Sequence, residues 1–125
     1  MHVNPSTIVS LGYLIISKHT TIEHVGVDLS IERDVDLKGN CEVVRLNEQF
    51  RLPSDIFAIL FPRSTLIRRG FIVQCGVIEP GYTGRPVVAI HGNGFLPKGY
   101  RVVQAMFFVG NPASVYNGRY QYEGL

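Results

Sequence analysis

Tryptophan is absent from this chain of 125 residues, and cysteine and methionine occur only twice each. Cys41 and Cys75 lie far apart and belong to no C-x-x-C pair, so the sequence contains neither zinc-ligand spacing nor a disulfide framework. The four histidines are scattered and show no ligand spacing either. Because no disulfides are indicated, we expect a reducing, cytoplasmic location.

Charge and long apolar runs are also scarce. Charged residues make up 18% of the chain and the formal net charge is +2, which is too little for an extended nucleic-acid footprint. The longest apolar run, residues 8–16, is too short to cross a bilayer, and it lacks the basic leader and cleavage site of a signal peptide. We therefore expect neither nucleic acid nor a membrane as a partner.

Short apolar runs separated by turn signals are abundant. With 13 glycines and 7 prolines marking the turns, the pattern predicts one all-β domain over residues 1–125, as a sandwich, jelly roll or barrel-like fold. Helical character is limited to the N-terminal segment through Ile16 and to "PRSTLIRRG", where Ser64 and Thr65 are possible caps and Gly70 a stop. The polar and aromatic residues 112–125 are predicted to form a C-terminal surface arm.

The step Arg63-Ser64-Thr65 combines a guanidinium, two hydroxyls and the backbone N–H groups of a short helical turn. These groups together suit the binding of phosphate. The alternative is that Ser64 caps the turn while Arg63 and its neighbours Arg68 and Arg69 lie at the surface.

Two polar residues interrupt apolar strands. Asp28 lies within "VGVDLSI" and is either an outward-facing strand residue or a carboxylate that holds a hydrated Mg²⁺ near phosphates. Gln104 is a lone amide in "KGYRVVQAMFF", so it either satisfies backbone groups in the core or contacts a ligand.

The segment "GVIEPGYTG" places Glu79 where a strand gives way to a tight turn. A carboxylate fixed beside Pro80 could orient and deprotonate a water molecule, or it could simply pair with an arginine. Tyr82, in the turn itself, suits stacking under a sugar or base, although an ordinary surface tyrosine fits the pattern equally well.

The order of these motifs is more specific than any one of them. "GVDL", "RSTLIRRG", "GVIEPGYTG", "GYRVVQAMFF" and the tail "YNGRYQ" follow one another along the chain. This succession resembles the dUTPase and dCTP deaminase superfamily, and the tail and the Pro-Gly turn resemble its deaminase-like branch of dUTPases. The resemblance implies a distorted jelly roll that assembles as a homotrimer with active sites shared between subunits.

One position separates the two activities of this superfamily. The resemblance places the deaminase's catalytic glutamate five residues after Gly84, where this chain has Ala89. An alanine cannot move protons to and from a cytosine ring, so Ser64 and Arg68 would lack their acid. The resemblance therefore implies a dUTP diphosphatase that yields dUMP and pyrophosphate and in which Glu79 activates the water.

The resemblance also implies the remaining roles. Mg²⁺ would bridge the triphosphate, and Asp28 would assist through a coordinated water. The expected substrate contacts are Arg63, Ser64, Thr65 and Arg68 at the phosphates, Tyr82 at the deoxyribose, the backbone of Val87, Val88 and Ala89 at the uracil, and Gln104 from the neighbouring strand. On the tail, Tyr116 and Arg119 would close over the phosphates, and Gln121 is a further expected substrate contact.

Three features depart from the family pattern. Glu79 stands where the pattern usually has aspartate, Glu123 stands where the tail usually has glutamine, and the chain ends at Leu125 without a glycine-rich arm. These departures leave open a catalytically silent family member that binds deoxynucleotides without turnover or acts as an interaction protein. The alternatives among enzymes are a nucleotide hydrolase of broader or different specificity and a dCTP deaminase.

Overall fold

The computed structural model describes all residues from 1 to 125, and most of them lie in strands or in the turns between strands. The all-β prediction is confirmed. The strands are β1 (His2–Val3), β2 (Leu14–Ile15), β3 (Thr21–Ile22), β4 (Val27–Ser30), β5 (Val35–Arg45), β6 (Gln49–Arg51), β7 (Ile56–Pro62), β8 (Ile72–Gln74), β9 (Val77–Ile78), β10 (Thr83–Gly84), β11 (Val87–Leu96) and β12 (Arg101–Val109).

Three antiparallel sheets make up the fold. The largest has the order β3-β4-β12-β7-β9, with β1 also paired to β12. The second has the order β10-β6-β2, and the third pairs the long strands β5 and β11 with β8. Between the sheets lies one cluster of 26 buried apolar residues, in which the rings of Phe50 and Phe107 lie 5.9 Å apart.

Two short helices complete the fold: α1 (Pro5–Ser10) and α2 (Ser64–Arg68). The helix predicted in "PRSTLIRRG" is confirmed, and Gly70 ends it with a φ of +80°. The predicted caps are wrong, because Arg63 holds the cap position and Ser64 is already helical. The N-terminal helix ends at Ser10, earlier than expected, since the chain then turns into β2.

Neither helix is long or apolar enough to cross a membrane.

The segment 112–125 contains no strand and folds back on the chain's own turn around residues 80–85. The backbone N–H of Tyr116 donates to the carbonyl of Pro80 at 2.8 Å, and that of Arg85 donates to the carbonyl of Glu123 at 2.9 Å. The arm is therefore attached to the domain at both ends of that turn.

Candidate active site

Asp28, Arg63 and Gln104 form one polar network on neighbouring strands. Asp28 is paired with Gln104 in the register of β4 and β12, and Gln104 Nε2 donates to Asp28 Oδ1 at 3.2 Å. Arg63 Nε lies 2.9 Å from Asp28 Oδ2. Asp28 is only 2% exposed, so the alternative of an outward-facing strand residue is wrong.

Gly26, two residues before Asp28, allows this close packing. A Cβ at Gly26 would lie 2.5 Å from the carbonyl oxygen of Ala105 and 2.7 Å from Cγ of Gln104. Glycine is therefore required where β4 approaches β12, and this approach sets the distance between the Asp28 carboxylate and the Gln104 amide.

A cleft of about 460 Å³ opens beside this network. Asp28, Arg63, Ser64 and Gln104 line it together with Glu23 and His24, and we refer to it as the Asp28 cleft.

Helix α2 places the remaining polar side chains of the motif at the surface beside this cleft. Thr65 and Arg68 are exposed, and Arg68 Nη1 donates to the carbonyl of Ser64 at 3.3 Å. The motif side chains predicted to contact phosphates therefore lie close together in one chain, whereas Tyr116 and Arg119, predicted to close over the phosphates, lie on the tail and do not line this cleft.

Glu79 lies elsewhere, directly after β9. The backbone N–H of Tyr82 donates to its carbonyl at 3.2 Å and closes the turn, with Gly81 at a φ of +85°. The Glu79 side chain is exposed, and none of the chain's four ion pairs includes it. Within this chain, therefore, no arginine pairs with Glu79.

A small pocket of about 150 Å³ lies against Glu79. Its walls are mostly apolar and aromatic, and we call it the Glu79 pocket; it is lined by Val77, Ile78, Glu79, Tyr82, Pro86, Tyr116, Tyr120 and Glu123. The tyrosines of the tail thus meet the predicted catalytic acid within one chain.

Tyr82 is buried, which differs from the surface position expected from its turn. Its side chain is 5% exposed and belongs to the apolar core, 6.4 Å from the Phe50 ring. Its hydroxyl donates to Glu123 Oε1 at 2.8 Å. Burial, followed by the Glu123 carboxylate, raises the pKa of Tyr82 well above its usual value.

The tail side chains fix the arm in place. Gln121 accepts from the Thr83 N–H at 2.8 Å and donates to the carbonyl of Gly81 at 2.9 Å. Glu123 Oε2 lies 3.5 Å from Arg45 Nη1. A contact between Gln121 and substrate would therefore require its amide to leave these partners.

Other tail residues are less constrained. The Tyr116 ring packs edge-on against Tyr82 at 5.8 Å, whereas Arg119 is exposed with its guanidinium over the Tyr120 ring.

Ala89 lies in a third place, on β11 between Val43 and Gln74 of the adjacent strands. The shallow depression around it measures about 270 Å³. Its lining residues are Cys41, Ile72, Gln74, Ala89 and His91, and none of them is a carboxylate.

The other two residues of this segment point in opposite directions. Val87 is exposed, whereas Val88 is buried and paired with Val44 of β5.

A metal site made by protein side chains alone is not present. No group of three or more His, Cys, Asp or Glu side chains is placed to hold an ion. Both Asp28 oxygens are engaged by Arg63 and Gln104, so Asp28 fits an indirect contact through a metal-bound water rather than direct coordination. Mg²⁺ commonly retains several waters and binds through one or two carboxylates and substrate phosphates.

Glu48 is an important residue that we did not identify from the sequence. It is fully buried and accepts four hydrogen bonds, from Ser17, Thr20 and both the N–H and hydroxyl of Ser30. Since Ser30 is two residues from Asp28, this network supports the strand that carries the cleft. A signal was available, because Glu48 alternates with the apolar Leu46 and Phe50 on one buried face.

A family model described as dCTP deaminase-like matches residues 16–110, which is most of the chain. The chain belongs to the dCTP deaminase-like family. This membership confirms the resemblance drawn from the motifs.

Curated relatives of this dCTP deaminase-like chain are archaeal. A protein of Aeropyrum pernix named "probable deoxyuridine 5′-triphosphate nucleotidohydrolase" is 30% identical over 159 aligned positions that cover all of both chains. A protein of the same name from Archaeoglobus fulgidus is 41% identical over 86 residues, 65% of this chain and 51% of the relative. Except for the A. pernix protein, the chain thus spans about half the length of these first relatives.

Solved structures confirm the fold of this dCTP deaminase-like chain. The 2′-deoxycytidine 5′-triphosphate deaminase of Agrobacterium tumefaciens superposes with a TM-score of 0.73 at 17% identity, over 87% of this chain and 46% of that one. A mutant dUTPase from phage phi11 of S. aureus, described with a structural Mg(II) ion, gives 0.65 at 13% identity, over 85% and 96%. The predicted dUTPase-like jelly roll is therefore confirmed.

Proposed function

We propose that this chain, as a single domain of residues 1–125, is a Mg²⁺-dependent dUTP diphosphatase that hydrolyses dUTP to dUMP and pyrophosphate. The names of its archaeal relatives support this activity. The observation that carries the choice within the family is the depression around Ala89, which contains no carboxylate. A deaminase must move protons to and from the cytosine ring, and the depression around Ala89 contains no acid that could do so.

Glu79 is the proposed general base. Its carboxylate is exposed, has no ion-pair partner and lies on a turn fixed by Pro80 and Gly81, so it can accept a proton from a water held beside it. The adjoining Glu79 pocket offers Tyr82 and Tyr116 as apolar walls for the deoxyribose.

The Asp28 cleft is the proposed phosphate site. Arg63 and Ser64 provide a guanidinium and a hydroxyl there, with Thr65 and Arg68 beside them. Positive charge placed where the phosphates gain negative charge lowers the barrier to phosphoryl-group displacement. Mg²⁺ would supply further positive charge, and Asp28 would hold one of its waters.

The proposed base and the proposed phosphate ligands lie in separate clefts of one chain. A complete site therefore requires the Asp28 cleft of one copy to meet the Glu79 pocket of another, as in the homotrimer that we propose. Exposed apolar side chains available for subunit contacts include Val43 and Ile72, at 60% and 59% exposure, on the two strands that flank β11 in one sheet.

The structure also favours one alternative, a family member that binds nucleotide without turning it over. Glu123 already occupies the Tyr82 hydroxyl and lines the Glu79 pocket with a carboxylate where the family pattern usually has glutamine. The longer side chain of Glu79, relative to the usual aspartate, acts in the same direction because a misplaced base loses catalysis steeply.

The test is to incubate purified protein with Mg²⁺ and either dUTP or dCTP, and to measure pyrophosphate and ammonia. We expect pyrophosphate from dUTP and no ammonia from dCTP. Ammonia from dCTP would contradict the inference from Ala89. Tight binding of dUTP without any product would instead support the nucleotide-binding alternative.

A further inference from the structure

Two side chains that commonly bind metal ions lie opposite each other on the sheet formed by β5, β11 and β8. The register of β5 and β11 pairs Cys41 with His91, and both residues are exposed. Directly opposed residues of antiparallel strands have Cβ atoms about 4.5–5.5 Å apart, and their side chains stand on the same face of the sheet. We refer to the two residues as the Cys41–His91 pair. Because they lie far apart along the chain, no ligand spacing in the sequence reveals them.

Neither side chain of the pair is engaged by another charged group, because His91 belongs to none of the chain's ion pairs. The second cysteine differs, since the thiol of Cys75 donates to the carbonyl of Leu60 at 3.3 Å. The thiol and the imidazole of the Cys41–His91 pair therefore remain available to an ion from solution.

The shallow depression around Ala89 leaves room for such an ion. The Cys41–His91 pair lines this depression of about 270 Å³, and no lysine or arginine lines it that would repel a cation. Ala89 precedes His91 by two residues on the same face of β11 and contributes only a methyl group beside the imidazole. Gln74, opposite Ala89 on β8, presents an exposed amide whose oxygen can accept a hydrogen bond from a metal-bound water.

A β-bulge next to the pair keeps the two residues opposed. The pairing of β5 with β11 shifts after Gly92, because Asn93 faces Lys38 and Gly39 is left without a partner. Gly39 has a φ of +79°, a conformation that favours glycine. A bulge pins the register of the strands beside it, so the pair is set by the backbone before any ion arrives.

The donor atoms of the pair select the class of ion. Thiolate sulfur and imidazole nitrogen suit Zn²⁺ and similar ions, whereas Mg²⁺ prefers oxygen ligands. Zn²⁺ lies about 2.3 Å from sulfur and about 2.0 Å from nitrogen, distances that two side chains on opposed Cβ atoms can provide. No third His, Cys, Asp or Glu side chain is placed to join them, so water would fill the other positions of a tetrahedral ion.

We propose that the Cys41–His91 pair binds one divalent ion of the zinc class and thereby links β5 to β11. When the metal–sulfur bond forms, the Cys41 thiol releases its proton to solvent, and the imidazole binds through a nitrogen that carries no proton. The site is independent of the proposed hydrolysis of dUTP, because neither ligand takes part in it.

The experiment is to titrate the whole chain, reduced and free of any affinity tag, with Co²⁺ as a spectroscopic substitute for Zn²⁺. A thiolate bound to Co²⁺ gives a charge-transfer band in the near ultraviolet. Wild-type protein should develop this band and saturate at one Co²⁺ per chain. Added Zn²⁺ should remove the band, whereas excess Mg²⁺ should leave it unchanged because Mg²⁺ does not compete for sulfur.

Two variants test the ligands one at a time. Cys41→Ser should abolish the band, because the thiolate is its source. His91→Ala should weaken Co²⁺ binding by more than about tenfold, since even the outer-shell partners of a metal ligand contribute that much. Both residues are exposed, so both variants should fold, which circular dichroism can verify.

Matched controls locate the ion. Cys75→Ser removes the other thiol, and His24→Ala removes another exposed histidine that lies outside the depression. Both variants should keep the band and the affinity of wild type. Absence of the band in wild type, its survival in Cys41→Ser, its loss in folded Cys75→Ser, an affinity unchanged by His91→Ala, or displacement by Mg²⁺ would each overturn the proposal.

Thermal unfolding gives a second measurement that does not depend on the spectrum of Co²⁺. An ion that binds the folded chain in preference to the unfolded chain raises the unfolding midpoint as its concentration rises. Wild-type protein should therefore gain thermal stability with added Zn²⁺, and Cys41→Ser should not. An equal gain in the two proteins would show that Zn²⁺ acts at another place on the fold and would contradict the site.

Discussion

The two carboxylates expected to act together, Asp28 and Glu79, are placed in opposite surroundings. Asp28 is almost fully buried, and its two oxygens are engaged by Arg63 and Gln104. Glu79 is exposed and has no cation paired with it. The first belongs to a polar network in the large sheet, and the second stands at the edge of an apolar pocket covered by the tail.

This difference separates two kinds of work that a carboxylate can do. A carboxylate whose oxygens already accept hydrogen bonds from protein side chains holds those partners in a fixed position. A carboxylate without partners is free to orient a water and take its proton. Asp28 is therefore suited to positioning Arg63 for phosphate, and Glu79 is suited to chemistry.

The largest effect should come from Glu79→Gln. The amide keeps the shape of the side chain but cannot accept a proton at neutral pH, so kcat for dUTP should fall by about 10²–10⁴-fold. Binding of a non-hydrolysable dUTP analogue should change by less than about twofold. Steady-state kinetics of pyrophosphate release and calorimetry with the analogue measure the two quantities.

Asp28→Asn sharpens the comparison. It releases Arg63 from its ion pair, so we expect the main loss in affinity for nucleotide and a smaller loss in kcat. If Glu79→Gln weakened binding while Asp28→Asn abolished only kcat, the roles assigned to the two acids would be reversed.

The next effect concerns the stability of the framework beneath the Asp28 cleft. Glu48→Ala would leave the buried N–H and hydroxyl of Ser30 without this acceptor, together with the half-buried hydroxyls of Ser17 and Thr20. Unsatisfied buried polar groups are costly, so we expect the free energy of unfolding to fall by about 3 kcal/mol. Urea denaturation measures it.

Glu42→Ala is the matched control, because Glu42 is half-exposed and pairs with Arg33 at 3.4 Å across the surface. Surface ion pairs contribute little, so this variant should lose less than about 1 kcal/mol. Similar losses of unfolding free energy in the two variants would show that the buried Glu48 network stabilises the fold no more than a surface ion pair does.

Local patterns were sufficient to predict much of the fold. The short apolar runs of β7 and β12 predict strands with a buried face, and Gly70 marks the end of α2. Arg63, Ser64 and Gln104, which the resemblance assigns to substrate binding, line one cleft of a single chain.

The burial of Tyr82 could not be predicted from local sequence patterns. Its neighbours Pro80, Gly81 and Thr83 predict a surface turn, and the turn is indeed present. The ring becomes buried because Phe50 on β6 and the tail residues, some forty positions further along, pack over it. Contacts between such distant segments are set by the tertiary fold, which no local propensity contains.

The burial of Asp28 also could not be predicted from local sequence. Period-two alternation distinguishes a buried face from an exposed face, but every residue of β4 is buried. The strand lies between β3 and β12, and Arg63 covers its polar side, so the sheet topology decides the environment of the carboxylate.

The smallest effect is expected on the Tyr82 side of the comparison, where burial and Glu123 raise the pKa of the phenol. The folded chain then keeps this proton at pH values where the unfolded chain has lost it, so stability is complete below the ordinary tyrosine pKa of about 10 and falls as pH rises above it. One such group contributes a slope of at most ~1.4 kcal/mol per pH unit.

Tyr82→Phe removes the ionisable hydroxyl, so the contribution of this group to the pH dependence of stability should disappear. Between about pH 9 and about pH 11, the wild type should lose about 1 kcal/mol more unfolding free energy than Tyr82→Phe does. Urea denaturation at the two pH values measures this. Tyr122→Phe, a change at an exposed ring, should follow the wild type at both pH values. Parallel behaviour of all three proteins would mean that the Tyr82 hydroxyl exchanges with water, and that the tail does not seal the Glu79 pocket as tightly as the 2.8 Å bond to Glu123 indicates.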